Sequence, residues 1–124
     1  RVVSIIDRFL EHSRVMHFEH AGEQRVFISS ADWMPRNLDR RVELLVPVHS
    51  QSCKDFLLDS LRSNMADNQN SHELQSTGSY QRISAEGLTP YRSQQFLYQQ
   101  ACNSVKQAQQ TQSASFVPHQ RLKS

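Results

Sequence analysis

Cysteine is almost missing from this chain of 124 residues: Cys53 and Cys102 stand far apart and in no Cys-x-x-Cys pair, which excludes a disulfide framework and a thiolate metal site. Long apolar runs are missing too. The longest, "LLVPV" and "VVSII", fall far short of the roughly 20 residues a membrane helix needs. There is no excess of one charge, since 14 basic residues face 12 acidic ones and the net charge is +2, too mild on its own to imply a nucleic acid partner. No charged, apolar and small-residue leader opens the chain, so a secretory or membrane reading has no support and a reducing cytosol is the expected compartment. The chain starts at Arg1 and runs straight into an apolar pattern with no cap, as expected of a piece of something larger.

The length is about that of one domain, and the composition is that of an ordinary soluble protein. Charge is unevenly spread. Five arginines lie in the first 36 residues and Arg40 and Arg41 sit together, whereas residues 64–79 carry no basic group except His72.

Val2, Ile5, Ile6, Phe9 and Leu10 recur at helical spacing, which predicts an amphipathic helix ending by about Glu11. Alternation in "HSRVMHF" predicts a strand from His12 to Phe18, a turn at "HAGEQ" and a second strand at "RVFIS". "SSADWMPRNLDR" reads as a loop, and "RVELLVPV" as a third strand with Val42, Leu44, Val46 and Val48 on one face. Cys53, Phe56, Leu57, Leu61 and Met65 mark a second helix, closed by the turn residues "ADNQNS". A small hairpin around Thr77 and Gly78 follows, then a third helix from Ser93 to Gln109 with Phe96, Leu97, Ala101 and Val105 on one stripe. The polar tail "QQTQSASFVPHQRLKS" has too little apolar surface to offset its ordering entropy, and disorder is expected there.

Two clusters carry candidate chemistry. His12 and Arg14, two apart at the start of the expected strand, would point to one face. An imidazole titrates near neutral pH and a guanidinium holds two phosphate oxygens in a fork, so the pair suits phosphate. Equally, His12 would serve as a charge ending a helix, and Arg14 would pair with Glu11 or Glu19 on the surface. The second cluster gathers Ser29, Ser30, Asn37, Arg36, Arg40 and Arg41 around the loop that holds Trp33, the single tryptophan. In the alternative reading Trp33 is a core residue, with Asp32 and Asp39 as surface partners of the arginines. Histidine metal ligation is not supported, because His17 lies an odd number of residues from His12. His20 does not change that, and His49, His72 and His119 are isolated.

"SIIDRFLEHSRV" followed by "VFISSADWMPRNLDRRVEL" resembles the C-terminal part of the bacterial polyphosphate kinases, which form and consume inorganic polyphosphate using ATP. The likeness continues through "SYQR" (79–82) and "RSQQFLYQQA" (92–101), giving residues 1–101 as part of the C-terminal domain and 102–124 as the end of the last helix and a low-complexity tail. His72 departs from the pattern, standing where an aromatic, tryptophan-like residue is expected. The resemblance implies an α/β, phospholipase D-like domain, a mixed sheet flanked by helices, facing a second such domain across a tunnel for nucleotide and polyphosphate. His12, Arg14, Ser29, Ser30 and Asn37 stand in the order of a phospholipase D-type site. By its motif "FLEHSR", His12 matches the second, assisting histidine of the kinases, while the phosphorylated histidine and the Mg2+ ligands lie upstream. Arg41 and Arg36, then Arg14, would hold phosphate oxygens of ATP, ADP or polyphosphate. A homo-oligomer, cytoplasmic or peripheral at the inner membrane, is also implied. Two other readings remain open: a phospholipase D-like phosphodiesterase or nuclease, which typically carries lysine at the position of Arg14, and a non-catalytic polyanion-binding module.

Overall fold

The computed structural model of the chain describes residues 1–112 and is of the expected α/β class. In chain order the elements are β1 (Val3–Ile5), β2 (Val15–His20), β3 (Glu23–Ser29), α1 (Pro35–Arg40), β4 (Leu45–Pro47), α2 (Gln51–Ala66), β5 (Ser71–Leu74), β6 (Tyr80–Arg82) and α3 (Ser93–Gln112). The strands form two antiparallel three-stranded sheets, ordered β1-β5-β6 and β2-β3-β4. Helix α3 passes the expected end at Gln109, and the rest of the polar tail, 113–124, lies outside the described residues.

The opening helix is replaced by β1 and an irregular stretch that runs to Arg14. Val2, Val3, Ile5 and Ile6 are β-branched, stiff at χ1 and suited to a pleated surface. Strand β5 offers them a ladder, with Val3 opposite Glu73 and Ile5 opposite Ser71, so pairing decides what periodicity left ambiguous. For the same reason β2 begins at Val15 and not at His12: β3 ends at Ser29, and Ser29 N–H donates to Arg14 O at 2.9 Å as the last rung.

The β2-β3 hairpin closes through Ala21 and Gly22, both at positive φ, between the paired residues His20 and Glu23. A two-residue loop of this kind matches the twist of its strands, and glycine takes the left-handed conformation without strain. Strand β4 is shorter than expected. Its pairing with β3 covers Leu45 to Pro47, flanked by the bonds Ser30 N–H to Leu44 O and Val48 N–H to Val26 O, so Val42 lies outside the ladder and is fully exposed. The loop after Ser29 also holds more order than expected, because Pro35 occupies the first turn of α1, where its fixed φ suits a helix and its missing N–H costs nothing. On α2 the apolar residue that becomes buried is Leu58, whereas Phe56 and Met65 of the expected stripe are exposed.

Apolar burial is sparse. Val26, Ala31 and Leu58 are the buried apolar residues among those described, against six buried polar ones, Asn37, Ser63, Asp67, Ser71, Ser93 and Gln94. Side-chain hydrogen bonds therefore tie the elements together, as expected where buried polar groups must be satisfied. Asp67, 1% exposed, caps the start of α3 by accepting from Ser93 N at 2.8 Å and Ser93 Oγ at 3.0 Å. Its other oxygen accepts from Asn70 N at 2.8 Å and Gln69 N at 3.0 Å, closing the turn between α2 and β5.

A second tie joins the segment after β1 to the start of α3. Arg92 forks onto the buried carboxylate of Asp7, with Nε 2.8 Å from Oδ2 and Nη2 on Oδ1. The Arg92 guanidinium holds the Asp7 carboxyl well below its usual range. A carboxylate with a depressed folded pKa contributes stability that is complete above the unfolded value, about 4, and is lost as the pH falls. Asp7→Asn is therefore expected to lower the melting temperature at pH 7 and to flatten the acid limb of stability. Thermal melts from pH 7 to pH 3 check this, and parallel acid limbs in the variant and the parent would refute it.

Candidate functional site

The end of the β2-β3-β4 sheet away from the hairpin turn carries the candidate side chains. Arg14, immediately before β2, places Nε 2.5 Å from Asp32 Oδ1, in the loop after β3. The expected surface partners Glu11 and Glu19 are not used for this. Arg14 holds the Asp32 carboxyl down by that hydrogen bond, partial burial opposes it, and the positive charges of Arg14, His12 and Arg36 add to the shift. One carboxylate thus sits in the field of three of the four expected site residues.

A second carboxylate organises the rest. Glu43, ahead of β4, accepts from the Ser30 hydroxyl on Oε2 and from Asn37 Nδ2 on Oε1 at 2.8 Å. The Ser30 hydroxyl in turn accepts Leu44 N–H at 2.9 Å, and the Ser29 hydroxyl accepts Ala31 N–H at 3.1 Å. Hydrogen bonds from Ser30 and Asn37 hold Glu43 below the usual carboxylate range, and the charges of Arg41 and Arg14 add to this. Short helix α1 is what brings Asn37, 4% exposed, under Glu43. Its Oδ1 is buried without a hydrogen-bond partner.

His12, Arg36 and Arg41 are exposed, and Arg14 is half-buried. His12 and Arg14 lie ahead of β2, so loop contacts and not the strand pleat set their relation. Ser29, Ser30 and Asn37 do come together at this end, but as supports: Ser30 and Asn37 turn their donors onto Glu43 and Ser29 accepts a backbone N–H, leaving the cationic donors to the arginines. Trp33 is 82% exposed, which overturns the reading of it as a core residue. With Ser13, Arg14 and Asp32 it lines a cavity of about 240 Å³. His72, opposite Ser4 and Arg82 in the other sheet, has a buried Nδ1 with no partner, a polar atom at the position where the resemblance led us to expect an aromatic ring.

Magnesium finds no holder among the described residues. No three His, Cys, Asp or Glu side chains gather there, and the two carboxylates of the site are already engaged by Arg14, Ser30 and Asn37. A hard cation needs free oxygen ligands, so no step below runs through the ion.

Residues 1–94 match the family model described as polyphosphate kinase C-terminal domain 2. The chain belongs to that family. A polyphosphate kinase of Rhodopirellula baltica is 48% identical over 119 residues, which cover 95% of this chain and 14% of the relative. One from Halalkalibacterium halodurans is 46% identical over 83 residues, 67% of this chain and 12% of the relative. Among solved structures, a crystal structure of polyphosphate kinase from Porphyromonas gingivalis superposes with a TM-score of 0.78 at 33% identity, covering 86% of this chain and 16% of that one. The chain therefore spans only a small part of the length of its polyphosphate kinase relatives. No helix among its described residues is long and apolar enough to cross a membrane.

Sequence reasoning missed Glu43 altogether and gave Asp32 only a surface pairing. The signal for Glu43 was faint: a single carboxylate inside "RRVELL", whose partners Ser30 and Asn37 lie 13 and 6 residues away.

Proposed function

We propose that this chain contributes the assisting-histidine half of a phosphotransferase that moves the terminal phosphate of ATP reversibly onto inorganic polyphosphate. The observation that carries the proposal is the Arg14–Asp32 pair at one exposed sheet end, where the charges of His12 and Arg36 also act on Asp32 and that of Arg41 on Glu43. In the forward direction, a histidine in the preceding part of the protein attacks the γ-phosphorus. Its N–P bond forms as the P–O bond to the β-phosphate breaks, and His12 gives a proton to the departing oxygen of ADP. The phosphoryl group then passes to a terminal oxygen of the polyphosphate chain. Charge spread over the transferring group is met by Arg36 and Arg41, which are free to reach it, and by the remaining N–H donors of Arg14. Asp32 and Glu43 hold that array of like charges together while no ligand is bound.

Residues 1–101 then form the domain portion, of phospholipase D-like type, and the boundary before 102 falls inside α3. ATP, ADP and polyphosphate as ligands, Mg2+ bound upstream, a homo-oligomeric state and a cytoplasmic or membrane-peripheral setting belong to the same proposal. The test is a chimaera in which this chain replaces the matching stretch of the Rhodopirellula baltica relative. Polyphosphate made from ATP is the expected result. Hydrolysis of phosphodiesters would point to the phosphodiesterase reading, and polyphosphate binding without either reaction to a docking module.

A further inference from the structure

Three consecutive residues at the start of α3 hold two separate parts of the chain, the segment after β1 and the turn after α2. Arg92 forks onto Asp7, Ser93 takes its cap from Asp67, and Gln94 reaches the backbone of Phe9. The third tie has the geometry of a strand partner. Phe9 N–H donates to Gln94 Oε1 at 2.7 Å, and Gln94 Nε2 donates to Phe9 O at 2.7 Å, so one carboxamide satisfies both backbone groups of one residue. Gln94 Nε2 also lies 3.5 Å from Glu11 Oε1. The Phe9 ring stacks on Tyr98, one helical turn further along α3, with centroids 6.2 Å apart, and the Arg8 guanidinium lies 5.2 Å from its centre.

His12 lies three residues beyond Phe9. Two residues further on, Arg14 is pinned by its carbonyl to Ser29 and by its side chain to Asp32. The histidine is thus carried on a short irregular span fixed at both ends, one end by the sheet and the other by Gln94. Gln94 is 4% exposed, whereas Phe9 lies at the surface, where water could serve its backbone. Burying a carboxamide costs free energy unless its hydrogen bonds are made, and packing alone would be met more simply by an apolar side chain. What the amide adds is register, because it locks Phe9 to a single place on α3.

We infer that Gln94 is a positioning residue for His12, fixing the span from Phe9 to Arg14 so that the imidazole is held at the Asp32 end of the sheet. The inference rests on the role given to His12 above. Gln94→Ala removes the tie. Gln94→Glu keeps the size and one acceptor but, at neutral pH, offers no donor to Phe9 O and sets a second carboxylate beside Glu11.

Two measurements test it. In the 124-residue chain, both variants are expected to drop the backbone amide order parameters of residues 10–13 from about 0.85 to below about 0.6 while β2 and β3 stay rigid. In the chimaeric kinase, Gln94→Ala is expected to slow polyphosphate synthesis about tenfold to hundredfold, the scale of a misplaced catalytic group. That loss should vanish when Gln94→Ala is added to His12→Ala, whereas a merely structural role would cost the same in both backgrounds. Unchanged order parameters in both variants, or equal losses in both backgrounds, overturn the inference. A wild-type rate in His12→Ala alone would instead overturn the role of His12, and the order parameters would still decide whether Gln94 holds the span.

Discussion

Replacing His12 with alanine in the chimaeric kinase is expected to slow polyphosphate synthesis by roughly 10² to 10⁴, the usual contribution of a positioned proton donor. The side chain is exposed at the sheet end, so truncating it removes no buried contact. Stability should stay within about 0.5 kcal/mol of the parent, as for surface substitutions generally. A slow enzyme with an unchanged melting curve is therefore the signature of lost chemistry. Synthesis at the parental rate would remove His12 from the mechanism.

The largest stability effect is expected at the buried Asp67 carboxylate, between α2 and α3. Asp67→Ala strips the cap from α3 and leaves Ser93 N–H, Ser93 Oγ, Asn70 N–H and Gln69 N–H without their acceptor. Hydrogen bonds to a charged group contribute about 1.5–3 kcal/mol each and buried donors left unpaired cost about 1–3 kcal/mol, so a total loss on the order of 3–5 kcal/mol is expected. That is a large share of the stability of a small domain, typically about 5–15 kcal/mol. Burial alone would push the Asp67 carboxyl up, but hydrogen bonds from Asn70, Ser93 and Gln69 outweigh it and hold the pKa below the usual range. The contribution is thus full above about pH 4 and lost as the pH falls toward the folded pKa. Chemical denaturation of Asp67→Ala and Asp67→Asn at pH 7 and pH 4 checks both points. Asp67→Asn should lose less at pH 7 and show a weaker dependence on pH, and full stability in Asp67→Ala would show that the hub is dispensable.

Much of this was legible in the sequence where pattern and punctuation agreed. The hairpin across Ala21 and Gly22, the second hairpin around Gly78, and helices α2 and α3 follow from alternation, helical spacing and turn residues. The first ten residues were misread because Val2, Ile5, Ile6, Phe9 and Leu10 fit a helix as well as a strand. The deciding partner, β5, lies about seventy residues away in a ladder that pairs Ser4 with His72. Helix α1 hid behind Pro35, which punctuates a loop and opens a helix equally well.

The site was legible as a set of residue types and not as an arrangement. His12, Arg14, Arg36 and Arg41 could be singled out from motif and charge. Their grouping depends on Asp32 and Glu43, acidic residues that composition treats as surface balance. Gln94 was visible only as one letter in "RSQQFLYQQA", and no local pattern tells which buried carboxamide will reach a backbone 85 residues back. Contacts of that kind belong to the assembled fold.

The central claim is that this chain supplies the assisting histidine and not the nucleophile, and mapping the phosphohistidine tests it most directly. The chimaeric kinase would be incubated with ATP labelled at the γ-phosphate, digested under alkaline conditions that spare phosphohistidine, and its labelled peptides sequenced by mass spectrometry. The label is expected on a histidine of the preceding part of the relative, with none on residues 1–124. Stoichiometric label on His12 would contradict the account.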